Sequence, residues 1–227
     1  MHKWKNKIMA LTLTSIVGIS SMTVYASEES NKIEINQENT DNQISKEGLI
    51  FQKSNIEIQE GQGYSLNNEP EMEHVKALAQ GTVIISYTST STNGIQSLFS
   101  VGNSSTGNQD RHFHIYITSS GGVGMEVRNT DGVFKYTLDR PAAVREFYKG
   151  KRVVNTVALK ADEGNGQYKL FANGELLATL DKEVFKFIKD ISGVDNVTLG
   201  ATMRQGKVAY PFGGTIHNIK VYDLSLI

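Results

Sequence analysis

The segment Gln167 to Leu180 constrains the fold more tightly than any other stretch of this chain. Its strands are joined by Asn173-Gly174, two residues that can both take positive φ in a type I′ turn, whose twist matches that of the flanking strands. That turn nearly forces the hairpin register. The same two-residue alternation runs through Thr82 to Thr88, Phe113 to Thr118, Val153 to Leu159 and Ile216 to Tyr222. Turn signals separate such runs at Asn93-Gly94, Gly121-Gly122, Asp131-Gly132 and Gly164-Asn165-Gly166. Many short strands with Gly-rich turns define an all-β chain, a sandwich or jelly roll. The sequence has no cysteine, so its stability comes from packing and thiolate chemistry is excluded. No fixed-period repeat is visible, which argues against a solenoid or a complete propeller.

Three segments break the β pattern and are expected to be brief helices on loops or sandwich edges. Val184, Phe187, Ile188 and Ile191 fall at i, i+3, i+4 and i+7, and the others are Met72 to Leu78 and Pro141 to Tyr148. Ahead of the β pattern, Lys3, Lys5 and Lys7 precede a mostly apolar run from Ile8 to Ile19 that is too short to span a bilayer. With Val24-Tyr25-Ala26 as a cleavage site, residues 1–26 are expected to be an export signal, leaving a secreted or cell-surface protein with no membrane segment. Residues 27–47 are rich in Glu, Asn, Gln, Ser and Asp and are expected to be a flexible linker. That leaves 48–227 as a single domain, and the 39% apolar fraction is ordinary for a globular chain.

A formal net charge of −1 argues against a nucleic-acid partner, which would call for a basic face. The serine elbow, the phosphate-cradling loop and the H-E-x-x-H zinc helix are all missing from the sequence. Glu126 has no acidic neighbour at i±2 or i±4, so the paired carboxylates of a sandwich-type glycosidase are not written on its strand. His112 and His114 share a strand face and could in principle hold a metal, but no third ligand stands nearby in sequence; the plainer expectation is a partly exposed pair. Asp110, Asp131 and Asp195 are weak candidates for a structural Ca²⁺, and no other cofactor is expected.

The informative polar residues lie on strands. In Gly124 to Arg128, alternation sends Met125 and Val127 to one face and Glu126 with Arg128 to the other. In His112 to Ile117, Tyr116 shares the polar or aromatic face with the two histidines. Leu199 to Gly206 places Arg204 opposite Leu199, Ala201 and Met203, and Tyr210 follows a Gly-containing turn. Two arginines, a glutamate and two tyrosines on separate strands suit a small anionic sugar, because the guanidinium fork fits a carboxylate and a tyrosine offers an apolar face with a polar tip. The plain alternative stays open on spacing alone: such residues decorate the outside of many sandwiches, and Glu126 with Arg128 can be a simple charge pair.

These residues resemble the family 40 carbohydrate-binding modules, the N-terminal domains of secreted bacterial sialidases and intramolecular trans-sialidases. The likeness spans about Gly48 to Ile227 and rests on Leu49-Ile-Phe51, the Tyr-Lys-Leu-Phe-Ala-Asn-Gly hairpin, Leu199-Gly-Ala-Thr-Met-Arg204 and the run Phe212 to Tyr222. Its specific part is Met-Glu-Val-Arg128 with Met-Arg204 and Tyr210. The resemblance implies a concanavalin-like jelly-roll sandwich that binds terminal sialic acid through Tyr116, Glu126, Arg128, Arg204 and Tyr210. It adds Ile95, which residue-level reading leaves as an ordinary loop position. It also implies sialylated glycans and mucin as partners and a catalytic propeller elsewhere in the full-length protein. The propeller's S-x-D-x-G-x-T-W boxes do not occur here, and the only tryptophan is Trp4, so the expectation is a non-catalytic module. A sandwich that binds another sugar, or none, is the alternative.

Overall fold

In the computed structural model, residues 47–92, 94–105, 111–129, 134–140 and 154–226 are described. They belong to one of two compact units, Glu47–Ile227; the other, Met1–Lys46, lies outside the described residues, and with it the expected signal and nearly all of the expected linker. The expected helix at Pro141 to Tyr148, the Asp131-Gly132 turn, Asn93 and Asp110 also lie outside them.

The alternating runs form β1 (Leu49–Ile58), β2 (Tyr64–Ser65), β3 (Gly81–Ser89), β4 (Gln96–Gly102), β5 (Arg111–Ile117), β6 (Val123–Asn129) and β7 (Phe134–Arg140). They continue as β8 (Asn155–Asp162), β9 (Gln167–Ala172), β10 (Glu175–Asp181), β11 (Asn196–Leu199), β12 (Thr202–Arg204), β13 (Lys207–Ala209) and β14 (Gly214–Tyr222). One six-stranded sheet has the order β1-β14-β3-β8-β9-β10 and the other β2-β11-β4-β5-β6-β7, while β12 and β13 make a separate ribbon. Neighbouring strands within each sheet are antiparallel. The fold is the all-β sandwich that the pattern requires. In the β9–β10 hairpin, Asn173 and Gly174 take φ of 49° and 82°, as the type I′ turn demands.

Alternation supplies the core. From one sheet Val83, Ile85, Tyr87, Val157, Leu159, Tyr168 and Leu170 point inward; from the other come Phe99, Phe113, Ile115, Ile117, Met125 and Val127, all buried. Phe113 sits at the centre, with edge-on rings at Phe99 (6.2 Å between centroids) and Phe187 (5.2 Å).

One expected helix is present as α1 (Met72–Lys76), which buries Met72 and Val75. The expectation for Val184 to Ile191 needs correction: the segment has a single 3-10 turn, Ile188–Asp190, and Val184 is 62% exposed. Phe187 is extended, and its N–H donates to Asp190 Oδ2 while Lys189 N–H donates to Leu78 O. Phe187, Ile188 and Ile191 are buried although the segment has only this one turn, so their helical spacing does not describe one helical face. Leu199 to Gly206 is likewise not one strand. Gly200, at φ 70°, ends β11, because a Cβ there would lie 2.7 Å from Ile58 Cδ1 in a left-handed backbone region, and the chain restarts as the ribbon.

Truncating the ring at the centre of this packing, Phe113→Ala, is expected to cost about 3–5 kcal/mol of unfolding free energy, read by urea denaturation. A loss below about 1 kcal/mol would place the core elsewhere.

Candidate functional site

The site is built on the face of β4 to β7 turned away from the core. Because Phe113, Ile115 and Ile117 point inward, His112, His114 and Tyr116 must point outward. On β6 the outward positions are Gly124, Glu126 and Arg128, paired across the ladder with Tyr116, His114 and His112. On β7 the partners are Asp139, Thr137 and Lys135.

Outward does not mean exposed. His112, His114 and Tyr116 are 2%, 4% and 6% exposed, which corrects the expectation of a partly exposed histidine pair. The cover comes from the β12–β13 ribbon, whose Gln205-Gly206 turn has positive φ at both residues and which folds back over β4 and β5. Thr202 Oγ1 donates to Ser97 Oγ at 3.2 Å, and Ser97 N–H donates to Tyr210 O at 2.8 Å. The Tyr210 ring lies 5.7 Å from the His114 ring, which packs at 4.5 Å against Tyr116 on its own strand. The Arg204 guanidinium lies 4.6 Å from the Tyr210 centroid. A chain of planar groups thus runs Tyr116, His114, Tyr210, Arg204. Tyr116 lies over Gly124, where a Cβ would come within 2.6 Å of Tyr116 Cζ, so the ring depends on a glycine across the ladder.

Glu126 is the charge centre. Its Oε1 accepts from His112 Nε2 at 3.0 Å and faces Arg128 Nη1 at 3.5 Å; its Oε2 accepts from Thr137 Oγ1 at 3.1 Å and faces Lys135 Nζ at 3.4 Å. Burial favours its neutral acid, but the His112 hydrogen bond and Arg128 outweigh burial and hold the carboxyl well below the usual range. Burial above all, aided by His112, Arg204 and Arg128, holds His114 well below the ordinary histidine value, so that ring is neutral at pH 7. Burial and the nearby carboxylates of Asp139 and Glu126 push the Tyr116 phenol upward. Among the described residues Arg204 has no carboxylate partner, and its buried Nε has no hydrogen-bond acceptor.

Five of the six sequence-derived residues therefore converge: Tyr116, Glu126 and Arg128 on the sheet, Arg204 and Tyr210 on the ribbon. Ile95 is half-buried two positions before Ser97, the residue whose N–H holds Tyr210. Sequence reading missed His112, Thr137 and Lys135 as partners of Glu126. Counting alternation from the Asp131-Gly132 turn expected in the sequence could have found Lys135 and Thr137; the diagonal His112 contact has no sequence signal. His112, His114 and Glu126 also bring three possible metal-ligand atoms within 4.8 Å of one another. A divalent cation there would face Arg128, Lys135 and Arg204, and the surplus positive charge favours an anion. Asp195, a candidate Ca²⁺ ligand from the sequence, accepts from Ser104 N–H through Oδ1 at 2.7 Å.

The fold defines a β-sandwich module, and on this face it gathers Glu126, Arg128, Lys135, Arg204 and a row of aromatic rings. Residues 42–227 match the family described as sialidase, N-terminal domain, and the chain belongs to that family. The anhydrosialidase of Macrobdella decora is 72% identical over 180 residues, which cover 79% of this chain and 24% of that protein. This chain thus spans about a quarter of that relative's length. The Ruminococcus gnavus IT-sialidase CBM40 bound to α2,3 sialyllactose is 68% identical, with a TM-score of 0.75, over 79% of this chain and 95% of that one. The same module bound to α2,6 sialyllactose is 69% identical, with a TM-score of 0.75 and equal coverage.

A carboxyl with a depressed native pKa contributes stability above its unfolded value that is lost as pH falls. Wild-type stability relative to Glu126→Gln should therefore be greatest near neutrality and shrink as pH drops below the ordinary 4.5. Urea denaturation of both proteins at several pH values measures this difference, and one that stays constant down to about pH 3 would contradict the Glu126 environment.

Proposed function

We propose that this face binds terminal sialic acid and that the domain is a non-catalytic carbohydrate-binding module. The observation that carries the reading is Arg204: a guanidinium seated on Tyr210, without a carboxylate partner among the described residues, beside the Glu126–Arg128 pair. Arg204 and Arg128 bind the sugar carboxylate and nearby polar oxygens. Glu126 accepts from a hydroxyl or from the amide N–H. Ile95 provides a wall for the N-acetyl methyl, while Tyr116 and Tyr210 cover apolar ring surface. The sialyllactose complexes of the similar Ruminococcus gnavus module support this ligand class. The family supports an attached sialidase-type catalytic domain, which the module would hold near sialylated glycans such as mucin. Export through residues 1–26, release by cleavage after Ala26 and the linker 27–47 belong to the same proposal. So does the absence of catalysis and of any required metal: one carboxylate held by four donors is poorly placed to act as a general acid.

The open face buries little of one sugar, so monovalent binding is weak and retention on mucin depends on many contacts. Arg204→Ala is expected to abolish measurable binding to sialyllactose in calorimetric titration, since each charge-assisted bond contributes about 1.5–3 kcal/mol. Ile95→Ser should weaken it several-fold with little change in melting temperature, the methyl contact being worth about 0.8 kcal/mol. Equal affinity for a glucuronide, together with indifference to Ile95→Ser, would reduce the face to a generic anion patch.

A further inference from the structure

The outward face of β5, β6 and β7 is polarised along its strands. Register arranges it in levels: His112, Arg128 and Lys135 first, then His114, Glu126 and Thr137, and last Tyr116, Gly124 and Asp139. Arg128 and Lys135 bring positive charge to the first level. Asp139 brings a carboxylate to the last, about 13 Å further along the strands.

The two carboxylates of this face differ in what they hold. Glu126 meets His112, Arg128, Thr137 and Lys135. Asp139 is exposed on the edge strand of its sheet, and among the described residues no hydrogen bond or ion pair reaches its side chain. Its neighbour across the ladder is Gly124, which has no side chain to fill the place between Asp139 and Tyr116. The Tyr116 ring leans into that place instead, its hydroxyl 2.8 Å from where a Cβ on Gly124 would stand. After burial, the Asp139 charge is the largest cause of the raised pKa of this phenol. Asp139 and the Tyr116 ring therefore bound one corner of the site, and its acceptor is open to water.

Besides its carboxylate and N-acetyl group, a sialic acid carries a three-carbon side chain whose hydroxyls need acceptors when they leave water. That chain reaches further from the ring than any ring hydroxyl. With the carboxylate at the arginines and the ring over the aromatic floor, it has to cross one strand spacing, about 4.8 Å, to pass from β6 to β7. The reversed sugar would set its carboxylate against Asp139, like charge on like. We propose that Asp139 is a further ligand-contact residue: its carboxylate accepts from the side-chain hydroxyls of the sialic acid and fixes which way round the sugar lies. The inference rests on the sialic-acid reading above. It adds a corner that reads hydroxyls, where O-acetylation of the sugar side chain would weaken binding.

The test is a cycle of NMR titrations of isotope-labelled protein, wild type and Asp139→Ala, each with two sugars. One sugar is intact 3′-sialyllactose. The other has its sialic acid side chain shortened by mild periodate oxidation and borohydride reduction, which leaves the carboxylate and the N-acetyl group in place. Shortening the sugar should weaken wild-type binding about fivefold, and Asp139→Ala should weaken binding of the intact sugar by about the same factor. The variant should then bind the two sugars within about twofold of each other, because the two changes remove one contact. Should Asp139→Ala not fold, Asp139→Val, a better strand former, takes its place with the same expectations. Wild-type protein that fails to bind intact sialyllactose overturns the proposed function. If wild-type protein binds it, three results overturn the role of Asp139 alone: wild type indifferent to shortening, Asp139→Ala equal to wild type on the intact sugar, or shortening that costs both proteins the same factor.

Discussion

The register of β5 is the constraint on which the rest depends. Phe113, Ile115 and Ile117 have to face the core, and the two-residue period then leaves no choice for His112, His114 and Tyr116. A slip of one residue would bury the histidines between the sheets and strip the site of its floor. Pairing with β6 carries the constraint onward, setting Glu126 and Arg128 beside the histidines and Gly124 beneath Tyr116. The hydrophobic core therefore specifies the polar face indirectly, by deciding which side chains it refuses.

The outward face becomes a site because a second element covers part of it. Sheet residues alone would present exposed imidazoles to water. The β12–β13 ribbon, turned back after Gly200, packs Tyr210 on His114 and brings Arg204 across sequence distance to the Glu126 side of the sheet. Burial of His114 keeps it neutral, and burial of Tyr116 keeps its phenol protonated, so the floor is uncharged aromatic surface. Charge stands around it on Glu126, Asp139, Arg128, Lys135 and Arg204. This separation suits a ligand that has both an apolar methyl and a carboxylate.

Much of this was legible in the sequence wherever local periodicity governs. The Asn173-Gly174 turn, the alternation of β3, β5, β8 and β14, and the shared outward side of Glu126 and Arg128 all follow from a period of two and the chemistry of tight turns. What was not legible depends on non-local contact. Phe187, Ile188 and Ile191 carry helical spacing, yet they are buried from a segment with only one 3-10 turn. The burial of His112 and His114 could not be read, because the covering ribbon lies about 90 residues further along the chain. Lys135 and Thr137 required the β6–β7 register, and Ile95 was named by family resemblance alone.

The most direct test of the account is a crystal structure of this protein with 3′-sialyllactose. The account predicts the sialic acid on the β4–β7 face under the ribbon, its carboxylate within hydrogen-bonding distance of Arg204 and Arg128 and its N-acetyl methyl against Ile95. Sugar density on another surface, or a sialic acid on this face whose carboxylate points away from both arginines, would contradict it.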